Sequence, residues 1–311
     1  MPVLHRFYID SLSDFTPKWY PIGVPRKSKQ IQIRDSVPEK GVNSMKKVFA
    51  LALAALCVIG LCASCGNSGA SVSTDGSTSM EKVIGILSDS YSEKHQNVKI
   101  TYNPTGSSAG ISAVGEGRCD IGLSSRALKD DETQTYDASI IAYDGISIIV
   151  NNENKIDNLS VSDIADIYTG KITNWSELGG DDNPIVCIGR EAASGTRDGF
   201  ESVTGTKDSC VYAQELTSTG DVIQTVSSNP NAIGYASTAS VKDTVKTLSV
   251  ENVMPTNETI LDGSYKISRA FYFITVKGKA LSDDAQKFYD FCMSGEADEY
   301  IASAGAVPTT K

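Results

Sequence analysis

Histidine is nearly absent from this sequence of 311 residues, which contains only His5 and His95. That scarcity leaves little room for a histidine-based metal site or for a Ser-His-Asp triad. The four cysteines after residue 65 form no C-x-x-C pair. The phosphate-loop pattern G-x-x-x-x-G-K-[ST] and the zinc pattern H-E-x-x-H are also missing. We therefore expect neither a metal nor a cofactor.

Positive charge is scarce as well. The chain has 28 Lys and Arg against 38 Asp and Glu, a net charge of −10. Residues 1–64 hold nine of the basic and four of the acidic side chains, which leaves 19 basic and 34 acidic in the rest, a net of −15. A nucleic-acid-binding protein needs a basic face, so this function is excluded. A hydrophobic content of 40% supports a folded core, and the length suggests about two domains.

One long uncharged run occurs, VFALALAALCVIGLCA over residues 48–63, directly after Met45-Lys46-Lys47. A basic start, an apolar stretch and small residues after it are typical of a secretory signal, and a membrane span needs about 20 residues. We assign 45–64 to a signal peptide, with an uncleaved anchor helix as the alternative. Residues 1–44 are polar and basic, and we interpret them as a mis-called or untranslated extension. The small, hydroxyl-rich residues 65–75 predict a flexible tether.

The rest of the chain alternates strand and helix patterns. Strands are predicted at 98–102, 119–125, 145–152, 185–189, 232–237 and 268–276, and helices at 80–91, 160–168, 219–228 and 282–294. This alternation predicts an α/β fold with a mostly parallel sheet. Ligands of such sheets bind at the carboxyl ends of the strands, beside helix N-termini.

Three small, hydroxyl-rich turns enter helical patterns: GSTS (76–79), GSSAG (106–110) and REAASGTR (190–197). Unpaired N–H groups at a helix start attract anions, and glycine allows close approach of the backbone. Each Ser or Thr could instead be an ordinary N-cap. Three such turns in one chain, one of them with arginine, favour an anion site.

Two segments also match enzyme motifs. GSSAG fits the G-x-S-x-G elbow around Ser108, and Ser79-Met80-Glu81-Lys82 fits S-x-x-K. The first motif requires a histidine later in the chain, and the second lacks S-D-N and K-T-G. We expect that the protein is not an enzyme, with a secreted serine hydrolase as the alternative.

The sequence resembles the phosphate-binding proteins of bacterial ABC phosphate importers, in their lipoprotein form. The matching segments are GSTS, TGSSAGI (105–111), CDIGLSSRAL (119–128), DIYTGKITNW (166–175), IGREAASGTR (188–197) and NAIGYAS (231–237). The resemblance implies a type II periplasmic-binding-protein fold, an α/β fold of two lobes with mixed, mostly parallel sheets and the ligand in the cleft. Lobe 1 would combine 76–148 with 265–311, and lobe 2 would be 149–264.

The resemblance also implies a phosphate site and partners. The phosphate-binding residues would be Thr78, Ser79, Ser107, Ser125, Arg190, Ser194, Gly195 and Thr196. Cys65 would be lipidated and hold a monomer on the outer face of the cell membrane, where it serves ABC permease subunits. Ser125 stands where some relatives have a proton-accepting Asp, and Ala192 where some have an Asp that orients the arginine. Sulfate and molybdate stay open as alternative ligands, and a sensing or adhesion role stays open beside transport.

Overall fold

The structure is a computed structural model that describes residues 70–309. The predicted extension 1–44, the signal peptide 45–64 and the lipidation site Cys65 lie outside the described residues. Among the described residues, no helix is both long and apolar enough to cross a membrane.

Strands and helices alternate along most of the described chain. The strands are β1 (Ala70–Gly76), β2 (Val98–Asn103), β3 (Ile121–Ser124), β4 (Tyr136–Val150), β5 (Asn158–Leu159), β6 (Val186–Arg190), β7 (Gln214–Leu216), β8 (Ala232–Ser237), β9 (Lys246–Thr247), β10 (Ser249–Val250), β11 (Ser268–Val276) and β12 (Val307–Pro308). The helices are α1 (Glu81–Lys94), α2 (Ser107–Gly115), α3 (Val161–Tyr168), α4 (Gly195–Thr204), α5 (Thr219–Ser228), α6 (Asn257–Leu261), α7 (Asp283–Met293) and α8 (Asp298–Ser303).

The main sheet is mixed, in the order β2-β1-β3-β11-β4-β8-β6-β7. Its outer parts are parallel, as predicted, because β1 pairs with β2 and β3, and β6 pairs with β7 and β8, in the parallel sense. In the centre of the sheet, the pairs β3–β11, β11–β4 and β4–β8 are antiparallel. The parallel strands are linked through helices, as parallel pairing requires.

Strand β4 joins the two parts of the sheet. Residues 136–145 pair with β11, and from Ile146 onward the strand pairs with β8. One large hydrophobic cluster packs under β1, β3 and β11 against α1 and α7, with Leu87 and Phe288 at its centre. A second cluster packs around the later half of β4 and β8 against α3 and α4, with Phe200 and Tyr235. The hydrophobic core is therefore divided on either side of the point where β4 changes partner.

Two sequence-based boundaries were wrong. Residues 70–75, predicted as part of the tether, form strand β1, because β2 and β3 pair with its two edges and its Val72 and Thr74 are buried. Strand β4 begins nine residues before the predicted 145, because pairing with β11 organises a segment of mixed polarity. A strand whose partners are distant in sequence carries a weak local signal.

The described cysteines are free: Cys119, Cys187 and Cys292 are buried, and Cys210 is half-buried. Burial raises the pKa of the Cys187 thiol to about 12, so this thiol is inert at neutral pH. His95 is exposed, as predicted by its position between helix and strand. Within residues 70–309, no cluster of His, Cys, Asp and Glu is arranged to hold a metal ion.

Two helical glycines provide a test of this packing. A Cβ on Gly110 of α2 would lie 2.4 Å from the carbonyl oxygen of Asp75, whereas a Cβ on Gly85 of α1 would meet nothing within 4 Å. We expect Gly110→Ala to lower the free energy of unfolding by about 2 kcal/mol or more, because backbone atoms must shift. Gly85→Ala, the matched control, should raise it by about 0.5–1 kcal/mol. Urea unfolding of both variants measures the difference, and equal stability of the two would contradict the α2–β1 contact.

Candidate functional site

The turn after β1 brings a set of buried hydroxyls to the carboxyl end of the sheet. Gly76 has φ = +144°, and a Cβ there would lie 2.1 Å from the carbonyl oxygen of Leu123, so only glycine fits. This turn directs Ser77 toward β3 and positions Thr78 and Ser79 in a short 3₁₀ turn before α1. All three side chains are buried.

Ser107, the first residue of α2, and Ser125, directly after β3, lie beside that turn. Their hydroxyl oxygens are 3.1 Å apart, and the Ser77 hydroxyl donates to Ser125 at 2.9 Å. The backbone N–H of Ser125 donates to the Ser107 hydroxyl at 3.1 Å. Three segments therefore converge from the first half of the sheet.

The second half of the sheet contributes the turn after β6 and the start of α4. A Cβ on Gly195 would lie 2.4 Å from the Ser107 hydroxyl and 2.7 Å from that of Ser125. Thr196 shares a 2.7 Å hydrogen bond with Ser79. Gly195 therefore allows the start of α4 to reach the hydroxyls of the first half.

Arg190, the last residue of β6, is the charged group of this cluster, and it is only 1% exposed. Its Nε donates to the carbonyl of Leu216 at 3.0 Å, and its Nη2 donates to the carbonyl of Thr217 at 2.8 Å. Its Nη1 donates to the hydroxyl of Thr219 at 3.2 Å. Within the part of the chain that the structure describes, no carboxylate contacts this guanidinium. Burial lowers its pKa from the usual value, yet an arginine stays protonated at neutral pH.

Thr219, the first residue of α5, links the arginine to the first turn. Its hydroxyl lies 3.2 Å from those of both Thr78 and Ser79, and its backbone N–H donates to Thr78. The N-termini of α2, α4 and α5 thus begin at Ser107, Gly195 and Thr219 of one cluster. Helix N-termini carry partial positive charge, which adds to that of Arg190.

A second layer holds the backbone of Arg190. Its N–H donates to the phenol oxygen of Tyr235 at 3.1 Å, and its carbonyl accepts from Arg197 at 3.0 Å. Tyr235 shares a hydrogen bond with Tyr212, which donates to Glu201, and Arg197 pairs with that same carboxylate at 2.7 Å. The Glu201 carboxylate therefore interacts with Arg197 and Tyr212 and does not contact Arg190 itself.

The structure brings together seven of the eight residues named from sequence and resemblance. These are Thr78, Ser79, Ser107, Ser125, Arg190, Gly195 and Thr196. The Ser194 side chain caps α4, where it accepts from the N–H groups of Thr196 and Arg197, and its role in binding stays a prediction. Thr219 and Ser77 were missed. Ser218-Thr219-Gly220 is a further hydroxyl-rich turn into a helix, a signal that could have identified Thr219.

The cluster adjoins a cavity of about 780 Å³ whose lining includes Thr78 of the first turn and Thr219 of α5. Chemically the cluster offers hydroxyl donors, helix N-termini and one buried cation to a small anion. Ser79 bonds only hydroxyls, and Ser108 accepts from Arg126, so neither serine has a general base among the described contacts.

A mixed α/β sheet with an anion-accepting cluster at strand ends is the architecture of a periplasmic-type solute-binding protein. The model of the PBP superfamily domain matches residues 63–296, three quarters of the chain. The phosphate-binding protein PstS of Borreliella burgdorferi is 30% identical over 247 residues, which cover 75% of this chain and 88% of that protein. The chain belongs to the PBP superfamily and, within it, to the family of the phosphate-binding PstS proteins.

Solved structures of phosphate-binding proteins also resemble this chain. A phosphate ABC transporter substrate-binding protein from Clostridium perfringens, crystallised with bound phosphate, is 40% identical with a TM-score of 0.74, over 77% of this chain and 100% of that one. An ABC-type phosphate transport receptor from Vibrio cholerae is 33% identical with a TM-score of 0.63, over 76% of this chain and 99% of that one. The fold expected from the resemblance, mixed α/β of the binding-protein type, is confirmed.

The layer behind Arg190 generates a stability prediction. Tyr235→Phe leaves the buried N–H of Arg190 without its acceptor, and we expect a loss of about 1–3 kcal/mol in the free energy of unfolding. Tyr168→Phe is the matched control, since it removes an equally buried hydroxyl that donates to a carbonyl at 3.3 Å. Tyr168→Phe should lower the free energy of unfolding by less than about 1 kcal/mol. Urea unfolding compares the two, and a smaller loss in Tyr235→Phe would show that its hydroxyl does not hold Arg190.

Proposed function

We propose that this protein captures inorganic phosphate in the hydroxyl cluster around Arg190 and delivers it to the permease subunits of an ABC importer. The observation that carries the proposal is the buried Arg190 guanidinium, which donates to two carbonyls and a hydroxyl and has no carboxylate contact within residues 70–309. A buried cation is stable only when it is paired, and an anion completes the pairing. The phosphate-binding relatives support phosphate as that anion.

The energetics of such a site are favourable. A dehydrated phosphate loses much hydration energy, so its oxygens must all be paired. Arg190 has N–H groups in a planar fork, and the surrounding hydroxyls can turn from one another toward the ligand. Each hydrogen bond to a charged group contributes about 1.5–3 kcal/mol, so a handful reaches the ~8 kcal/mol of micromolar affinity.

The proposal includes two lobes that close on the ligand. Residues 76–148 with 265–311 would form one lobe and 149–264 the other. The first cluster lies almost entirely in the former, whereas the second also includes Ile267 and Val307 of that lobe. Ser107 and Ser125 would reach the ligand from the first lobe, and Arg190 and Thr219 from the second. Closure would then complete the phosphate shell, as hinge motion does in periplasmic binding proteins.

A lipid on Cys65 would hold the monomer at the outer face of the cell membrane, and the acidic surface would face the extracytoplasmic solution. The protein would bind phosphate without breaking a bond, because neither Ser79 nor Ser108 contacts a base in the part of the chain that the structure describes. Labelling of either serine by an acylphosphonate would contradict this part.

Removal of the charge tests the site directly. We expect Arg190→Ala to weaken phosphate binding by at least about 2 kcal/mol, or about 30-fold in Kd, since the cation that contacts the hydroxyls of the cluster is lost. Arg118→Ala is the matched control, because Arg118 is exposed and pairs only with Glu116 among the described residues. Isothermal titration calorimetry measures both variants. Wild-type affinity in Arg190→Ala would refute the site, and absence of binding by the unmodified protein would refute the function.

Selectivity provides a second test. Phosphate carries a proton near neutral pH and sulfate does not, and the oxygen of the Ser125 hydroxyl, which lies inside the cluster, can accept a hydrogen bond from that proton. Glu191, the carboxylate next to Arg190 in the sequence, bonds no hydroxyl of the cluster among the described contacts. We expect phosphate to bind more tightly than sulfate, and Ser125→Ala to reduce that preference. Competition calorimetry with both anions, and with molybdate, measures the ratio. Equal affinities in the unmodified protein would exclude this basis of selectivity.

A further inference from the structure

A buried ion pair lies where the two parts of the sheet meet. Asp144 of β4 and Arg269 of β11 are cross-strand partners, and the Nη2 of Arg269 is 3.0 Å from the Oδ2 of Asp144. The arginine side chain is 5% exposed and the aspartate is fully buried. Two residues after Asp144, β4 leaves β11 and pairs with β8. The pair therefore joins both strands at the place where the chain passes between the two hydrophobic clusters.

The two side chains of this pair differ in how many of their polar atoms have hydrogen-bond partners. The Oδ1 of Asp144 accepts from the Ser237 hydroxyl at 2.9 Å and from the Ala239 N–H at 3.3 Å. The Nε and Nη1 of Arg269, in contrast, are buried and have no hydrogen-bond partner among the described residues. Unpaired donors on a buried cation are costly, so their presence calls for a reason in the function of the molecule.

The position of Arg269 connects it to the phosphate cluster. A Cβ on Gly199 of α4 would lie 3.7 Å from the Cδ of Arg269, and Gly199 is one helical turn beyond Thr196 of the cluster. Burial lowers the pKa of Arg269 to about 10; the charge of Asp144 opposes this shift, and that of Arg190 adds to it. Arg190 and Arg269 are both buried cations, and Asp144 is the carboxylate that pairs with the second.

We propose that Arg269 is a second cationic determinant of anion binding, which acts on the ligand through its field from beneath α4, while Asp144 sets how much of that charge the ligand experiences. This inference rests on the proposed function. A bound phosphate relieves the repulsion between Arg190 and Arg269, so part of the cost of burying the second cation is recovered on binding. In a low-dielectric interior, such charge–charge energies remain significant beyond contact distance.

Variants that change the charge of the pair in opposite directions test the role of Arg269. Asp144→Asn removes a negative charge with little change of shape, and it should tighten phosphate binding by about 5-fold. Arg269→Gln leaves Asp144 uncompensated and should weaken binding by about 10-fold. The double variant should lie near the unmodified protein. Calorimetry with phosphate gives the affinities, and urea unfolding gives the stabilities of the same samples.

If the ion pair only stabilised the fold, both single variants would bind phosphate more weakly, and each would lose affinity in proportion to its loss of stability. Affinity shifts of the same sign, or no shift in either variant, would therefore overturn the inference while the proposed function stands. If Arg269→Gln does not fold, the direction of the affinity change in Asp144→Asn decides the question: tighter binding supports the inference and weaker binding overturns it. Arg269→Lys, which keeps the charge, should retain most of the affinity. Lys246→Gln and Asp157→Asn, which break an exposed pair, are controls expected to leave binding unchanged. Absence of phosphate binding in the unmodified protein would overturn the function and this inference together.

Discussion

The buried charge of Arg190 is the constraint on which the rest of the site depends. A guanidinium away from water needs partners, and here two carbonyls and one hydroxyl accept one hydrogen bond from each of its nitrogens without cancelling its charge. A contacting carboxylate would stabilise the empty protein and compete with an anion. Carbonyl groups orient the arginine instead, so the full charge stays available to a ligand.

Convergence of the cluster depends on glycine at points of contact. The turn at Gly76 passes against Leu123, α2 packs on that turn through Gly110, and the start of α4 meets Ser107 through Gly195. A side chain at any of these positions would separate segments that must approach within hydrogen-bond distance. Because these segments come from both halves of the sheet, the positions determine whether the hydroxyls can surround one ligand.

Local and global charge oppose each other in this protein. The part after residue 64 carries a net charge of −15, yet its cluster has three helix N-termini, a buried arginine and a second arginine behind α4. Short-range fields in a desolvated site exceed those of surface charges, which water and salt screen. An acidic protein can therefore bind an anion, because its net charge does not determine the local charge at a buried site.

The sequence by itself determined the alternation of strands and helices, the elements 219–228, 232–237 and 268–276, and the hydroxyl-rich turns with Arg190. Local periodicity and turn chemistry suffice for these features, and the family resemblance supplied the roles of individual residues. The tertiary structure alone decided that residues 70–75 form a strand, that Ser194 caps its own helix, and that the carbonyls of Leu216 and Thr217 orient Arg190. It also decided the pairing of Asp144 with Arg269. Strand pairing and hydrogen bonds to backbone carbonyls cannot be predicted from residue types, because every residue has the same peptide group. Only the folded chain brings peptide groups that are distant in sequence together.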